Sequence, residues 1–324
     1  MAKYLSGQTL WQQVENVTDS AKASGALKAI PTHCETREVY CREGKCVESK
    51  PSENKYGDST INFQVRVVEN LTRKSDDVQR RGKQEPNNKH FNPFLPYESA
   101  LYVGELTDQY RCLLNKFNVM DHHILMVTSR FVPQQTPLNT EDFLAAQICL
   151  QAQNGLVFYN GGPVAGASVE HKHLQMIPLP LTPASTFPFC GLLSSTPVTG
   201  SPTETALPFL HRAITTDFTS IKLSTSSTEA LKEAAECNCK NYHRLLTNLK
   251  LSPGSDGMMA PHNMLMTRDY LWVVPRSKDS HEGLAVNALG FAGTLLVRDK
   301  NQLRQLDRIG CLELLKAVTR ESIM

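Results

Sequence analysis

Asn160-Gly161-Gly162-Pro163-Val164-Ala165-Gly166-Ala167-Ser168-Val169-Glu170-His171-Lys172-His173-Leu174-Gln175 is the stretch on which the reading of this chain turns. Its second half has the spacing of a strand that starts at His173 and closes at Pro178 and Pro180. Side chains two apart on a strand share a face, so His171, His173 and Gln175 point one way, roughly 6–7 Å apart in succession. Lys172, Leu174 and Met176 point the other way. The first half is small and glycine-rich: Gly161, Gly162 and Gly166 let a ligand approach the backbone, and Gly166-Ala167-Ser168 offers amide and hydroxyl donors for an anion.

Two imidazoles beside such a cradle suit attack on phosphorus. An imidazole is largely neutral near pH 7, needs no separate base, and forms a phosphoramidate that still reacts with a second acceptor. His173 is the residue expected to attack, with His171 orienting it or bonding the phosphate. Gln175 can donate an amide N–H to a non-bridging oxygen. A pair of histidines on one strand face could instead bind zinc, but no acidic or cysteine ligand at matching spacing joins them, and no protein metal site is predicted.

Outward from this strand the pattern is mixed. Residues 4–29 carry helical spacing at Leu10, Val14 and Val17, and residues 31–58 are polar and broken by Gly and Pro, which predicts a long loop. Ile61–Val68 alternates as a half-buried strand, and residues 72–90 read as a polar connector. Strands follow at 101–106, 111–117 and 123–128, closely spaced as in an antiparallel meander. A helix over about 141–153, capped by Asn139 or Thr140, precedes a strand at 156–160. Residues 181–206, rich in Pro, Ser, Thr and Gly, form the candidate linker. Beyond it the spacing predicts a helix over about 228–248, strands at 263–267 and 271–274, and a terminal helix from about 301.

With 324 residues, 40% of them hydrophobic and 20% charged, the chain can bury a sizeable core. A formal charge of +2 gives no electrostatic footprint for nucleic acid, so any phosphate site must be a local pocket. The nine cysteines are irregularly spaced and lack the paired spacing of a zinc site, which favours reduced thiols. No leader and no apolar run of roughly 20 residues is legible, so a soluble, cytoplasmic protein without membrane or nucleic-acid partners is expected.

His171-Lys172-His173-Leu174-Gln175 resembles the H-x-H-x-Q motif in the transferase branch of the histidine-triad superfamily, which includes galactose-1-phosphate uridylyltransferase. Asn62–Val67, Asn92-Pro93-Phe94, Leu113–Val119, His122-His123, Asn160–Gln175, Asn263–Thr267 and Val274–Ser277 more closely resemble the diadenosine tetraphosphate phosphorylase (ATP adenylyltransferase) family. The resemblance implies an α+β fold, a histidine-triad-like antiparallel sheet flanked by helices with a smaller C-terminal lobe. Residues 1–195 would form the catalytic domain and 196–324 the ATP adenylyltransferase lobe. It also implies reversible phosphorolysis of diadenosine tetraphosphate by phosphate to ATP and ADP, through an AMP-histidine on His173, with His171 and Gln175 in the catalytic set. Substrate contacts would come from Lys55, Asn92, Pro93, Asn160, Gly166, Ala167, Ser168, Gln175, Asn263, Thr267 and Lys278. A divalent cation, magnesium by family habit, would accompany the polyphosphate.

The hydrolase branch carries a third histidine where this chain has Gln175. An amide cannot shuttle a proton near neutrality, so the substitution favours an anionic acceptor over water. The alternatives left open are a hexose-1-phosphate uridylyltransferase, which shares the motif, a dinucleoside polyphosphate hydrolase, and a non-catalytic nucleotide-binding module.

Overall fold

Alternation along the strands generates a layered α+β architecture. The computed structural model describes residues 4–42, 45–47, 59–68, 91–182, 186–194, 207–216 and 228–321. Strands β4 (Tyr102–Glu105), β5 (Tyr110–Leu114), β6 (Ile124–Thr128), β7 (Gly155–Asn160) and β8 (His173–Pro178) are joined by β9 (Arg212–Thr215), β10 (His262–Met266) and β11 (Tyr270–Pro275). Together they form an eight-stranded sheet in the order β4-β5-β6-β8-β7-β10-β11-β9, antiparallel throughout. The C-terminal lobe thus closes on the N-terminal part by adding strands to its sheet, with β10 paired to β7.

A second sheet of four strands packs across one face of the first. Its order is β14-β3-β1-β2, from β1 (Thr32–Arg42), β2 (Lys45–Val47), β3 (Ser59–Val68) and β14 (Thr294–Val297). The β14–β3 pair is parallel. A two-stranded ribbon, β12 (Ser280–His281) with β13 (Leu284–Ala285), lies between β11 and β14 in sequence.

Both faces of the large sheet are covered, which is why its strands read as nearly continuous apolar runs. One face takes Val157, Tyr159, Leu174, Met176, Met264, Met266, Leu271 and Val273 into a core with three helices. These are α1 (Gly7–Ser24), α2 (Thr140–Ala152) and the helix over Thr228–Asn248. The alternate residues Leu156, Phe158, Ile177, Leu265, Trp272 and Val274 meet Phe63, Val65 and Val67 of the small sheet on the other face.

Local chemistry sets the helix ends. Asn139 accepts from the backbone N–H of Glu141 and Asp142, while the Asp142 carboxylate accepts from Asn139 N–H, a complete capping box for α2. Helix α1 stops at Gly25, whose φ of 73° is left-handed.

The structure departs from the sequence reading in three places. Thr32–Arg42 and Lys45–Val47, expected within a loop, form a β-hairpin that puts Cys41 opposite Cys46. The two sulfurs are joined as a disulfide, so these thiols are not both reduced as expected. Residues 190–194 inside the expected linker form a short helix, and the C-terminal helix is two, Lys300–Ile309 and Cys311–Val318, broken at Gly310.

Candidate active site

A cavity of about 660 Å³ opens between the eight-stranded sheet and the β3–β14 edge of the smaller one. His173 and Gln175 of β8, Asn160 at the end of β7, and the turn through Pro163 and Gly166–Ser168 line one side. Asn287, Leu289 and Leu295 of the C-terminal lobe line the other.

His173 is held from both ends. Its backbone N–H donates to Gln134 Oε1 at 2.8 Å, and the Gln134 amide donates to the carbonyls of Asn160 at 2.9 Å and His173 at 3.1 Å. One buried glutamine thus clasps the end of β7 to the start of β8. The imidazole Nδ1 lies 2.8 Å from the His171 carbonyl, an oxygen that can only accept. Nδ1 therefore carries the hydrogen and Nε2 the lone pair.

His171 is buried one layer back, and its ring does not reach the cavity lining. Nε2–H faces the carbonyls of Thr128 at 2.9 Å and Arg130 at 3.0 Å, so Nδ1 accepts, from Asn92 Nδ2 at 3.0 Å. Burial lowers its pKa, partly opposed by the two backbone hydrogen bonds, and keeps the ring neutral. What His171 offers His173 is its backbone oxygen. The ring of Phe94 stands edge-on to both imidazoles, at 5.7 Å from His171 and 5.2 Å from His173.

Two side-chain amides present themselves as donors because their oxygens are already engaged. Asn160 Oδ1 accepts from Asn263 Nδ2 and from Ala288 N–H, each at 2.9 Å. Gln175 Oε1 lies 3.0 Å from His123 Nε2. The glycine turn works differently from the sequence expectation. Gly166 N–H donates to the Pro163 carbonyl at 2.9 Å and Ala167 N–H to that of Gly162 at 3.1 Å, so both amides are engaged in closing the turn. Gly166 has φ 93°, and a Cβ there would meet the Asn287 backbone at 3.0 Å. The glycine is needed for that left-handed turn and for close approach of the C-terminal lobe.

Of the residues singled out from sequence, the cavity brings together Pro93, Asn160, Gly166, Ala167, Ser168, His173 and Gln175. Asn92 stands behind His171, its oxygen taken by Phe94 N–H at 3.0 Å. Three of the expected substrate residues lie outside the cavity lining. Asn263 is fully buried and is used on Asn160, on the Ala165 carbonyl at 2.9 Å and on Arg276 Nη1 at 2.7 Å, so it supports Asn160 from outside the cavity lining. Thr267, four residues further along, accepts from Asp269 and Tyr270 N–H in the β10–β11 turn, about 13 Å away by strand rise. Lys278 is exposed outside the cavity lining, its carbonyl accepting from Arg276 at 2.8 Å. Lys55 lies outside the described residues.

The sequence reading gave no role to Gln134, Asn115, His123, Asn287 or Arg276. Asn115, His123 and Arg276 fall in segments that carried the resemblance, which was the available signal. Arg276 is buried and holds together the carbonyls of Ala165, Lys278, Val286 and Val318, with its guanidinium 5.3 Å from the Phe291 ring. Burial pushes its pKa down to about 10, which leaves it charged at neutrality.

Comparison with known proteins matches this arrangement. Residues 39–195 match the Ap4A (diadenosine tetraphosphate) phosphorylase N-terminal domain, and residues 205–321 match the ATP adenylyltransferase C-terminal domain. The chain is 28% identical over 318 residues to diadenosine 5',5'''-P1,P4-tetraphosphate phosphorylase 2 of Saccharomyces cerevisiae, covering 92% of this chain and 90% of that one. The crystal structure of yeast Ap4A phosphorylase Apa2 shares the fold, with a TM-score of 0.70 at 24% identity over 97% of this chain and 95% of that chain. Its complex with Ap4A gives a TM-score of 0.69 at 23% identity, over 97% and 98% of the two chains. Two family domains, matched in order along one chain, identify this protein as a member of the Ap4A phosphorylase (ATP adenylyltransferase) family.

Proposed function

We propose that the protein catalyses reversible phosphorolysis of diadenosine tetraphosphate: the dinucleotide and phosphate give ATP and ADP through an AMP-histidine at His173. The observation that carries this reading is the 2.8 Å contact from His173 Nδ1 to the His171 carbonyl, which puts the lone pair on Nε2 of a cavity-lining imidazole. Nε2 attacks the α-phosphorus; the N–P bond forms as the P–O bond to the leaving ATP breaks, and ATP departs with the electron pair. The ring becomes cationic as it is adenylylated, and the Nδ1–H bond to the carbonyl strengthens with that charge. Gln175 and Asn160 donate to the non-bridging oxygens as their charge grows. Phosphate then attacks the same phosphorus, the N–P bond breaks back to His173, and ADP forms. Phosphate arrives as an anion, so no general base is needed at position 175.

Among the described lining residues, Lys116 and Arg298 are matched by Glu98 and Asp279, and Lys116 is bound to Glu98 at 2.7 Å. Such a lining leaves much of a polyphosphate's charge to be met otherwise. The magnesium of this proposal therefore belongs to the substrate, carried on phosphate oxygens. Among the described residues no group of three His, Cys, Asp or Glu converges to hold a metal, and no step here uses one.

Residues 1–195 form the catalytic part of this proposed enzyme and residues 196–324 its adenylyltransferase lobe. It also puts the activity in the cytoplasm. No helix among the described residues is long and apolar enough to cross a membrane.

Labelled diadenosine tetraphosphate incubated with magnesium, with and without phosphate, tests the reading. ATP and ADP are expected only with phosphate, and no turnover in His173→Ala. Formation of ATP and AMP without phosphate would make the protein a hydrolase and overturn the proposal.

A further inference from the structure

We infer that His123, backed by Asn115, is a positioning residue that locks the Gln175 amide with its N–H pair toward the reacting phosphate. An amide placed to stabilise charge on phosphorus has two orientations of equal shape. One aims N–H groups at the oxygens and the other aims a repelling carbonyl, so orientation decides whether Gln175 helps or hinders.

A chain of hydrogen bonds makes that choice, and it starts from a group that cannot accept. The backbone N–H of Phe117 donates to Asn115 Oδ1 at 3.3 Å, which fixes the Asn115 amide. Asn115 Nδ2 therefore donates, and it lies 3.1 Å from His123 Nδ1. With Nδ1 accepting, a neutral His123 carries its hydrogen on Nε2, which lies 3.0 Å from Gln175 Oε1. Turning the amide over would bring Gln175 N–H against His123 N–H, so the oxygen stays back and the N–H pair stays forward.

The fold builds this arrangement across two strands. Leu125 of β6 pairs with Gln175 of β8, and His123 precedes Leu125 by two, on the same face and diagonal to Gln175. His123 is buried, tilted against Phe158 with centroids 5.7 Å apart, and Asn115 N–H holds the His123 carbonyl at 2.9 Å. The ring is anchored through both its backbone and its side chain.

The inference rests on the phosphorolysis reading, and the test separates the two. Phosphate-dependent kinetics would be measured for wild type, His123→Phe, His123→Gln, Gln175→Ala and the pair His123→Phe with Gln175→Ala. His123→Phe keeps an aromatic ring against Phe158 but loses the donor. It should lower kcat about tenfold, the worth of one neutral hydrogen bond, with KM for the dinucleotide little changed. His123→Gln, which restores an N–H donor, should recover much of the loss. In the Gln175→Ala background His123→Phe should cost nothing further in kcat. A packing role predicts the opposite ranking, Phe above Gln, and additive losses; either result overturns the inference. Should His123→Phe fail to fold by circular dichroism, Asn115→Ala reads the chain one link back and must likewise lose its effect when Gln175 is Ala. An inactive wild type would refute the phosphorolysis reading itself, whereas an active one with unaffected variants refutes only the role of His123.

Discussion

Gln175 takes up and releases no proton near neutrality, so the contribution proposed for it is an oriented pair of N–H donors. Replacing it with alanine removes one donor from the transition state and should lower kcat about 100-fold, the usual cost of an oxyanion donor. Gln175→Glu keeps the shape but presents only acceptors and a negative charge beside phosphate. It should fall at least as far as Gln175→Ala in the steady-state assay, and a glutamate variant with wild-type kcat would sink this account of position 175. That His173 and Gln175 line one cavity was legible because a two-residue period reveals which side chains share a face. His123 was not, since its partner Gln175 lies 52 residues away and no spacing reports such a contact. The place of Asn263 behind the cavity lining was hidden for a related reason: the sequence does not say that its amide is spent on Asn160 and Arg276.

The alternation that sends His173 and Gln175 into the cavity sends Lys172 into the helix layer beneath. Lys172 Nζ meets the Asp142 carboxylate of α2 at 2.7 Å and the Pro137 carbonyl at 3.1 Å, with both charged side chains 2% exposed. The Tyr110 hydroxyl of β5 donates to the same carboxylate, and burial followed by the Asp142 charge raises its pKa, which keeps it a donor. Helix α2 is thus fixed to the start of β8 by a buried pair. Lys172→Ala leaves Asp142 uncompensated and should cost about 3–5 kcal/mol in denaturant unfolding. Lys172→Met with Asp142→Leu, which removes both charges, should recover most of that; a double variant no better than the single would refute the assignment. At this scale helices were legible wherever apolar spacing and a capping residue coincided, as at Asn139. Strand β1 was not, because most of Thr32–Arg42 is polar, and among its described side chains only Val39 and Cys41 are buried.

The whole molecule depends on the seam where β10 of the C-terminal lobe pairs with β7, and a buried histidine sits on that seam. His262 accepts Gly161 N–H on its carbonyl at 2.9 Å, so it holds the start of the glycine turn. Its imidazole Nδ1 donates to the Ala260 carbonyl at 2.8 Å, and Nε2 lies 2.7 Å from the Tyr242 hydroxyl, from which it accepts. Burial pushes its pKa down to about 4, with the Ala260 hydrogen bond opposing and the Arg320 charge adding slightly. An unfolded histidine titrates near 6.5, so between these values the unfolded chain binds the proton that the folded one refuses. The stability supplied by neutral His262 is therefore complete above about pH 6.5 and is lost as pH falls from there toward 4. The loss over that window is about 3 kcal/mol at 1.36 kcal/mol per pKa unit. Denaturant unfolding of wild type and His262→Gln across this range isolates the residue, since the other titrating groups are common to both. The variant should be weaker at pH 7 but flatter between 6.5 and 4, and the two proteins should converge at the acid end. Parallel curves would mean that His262 is protonated in the folded protein and that the seam does not exclude the charge.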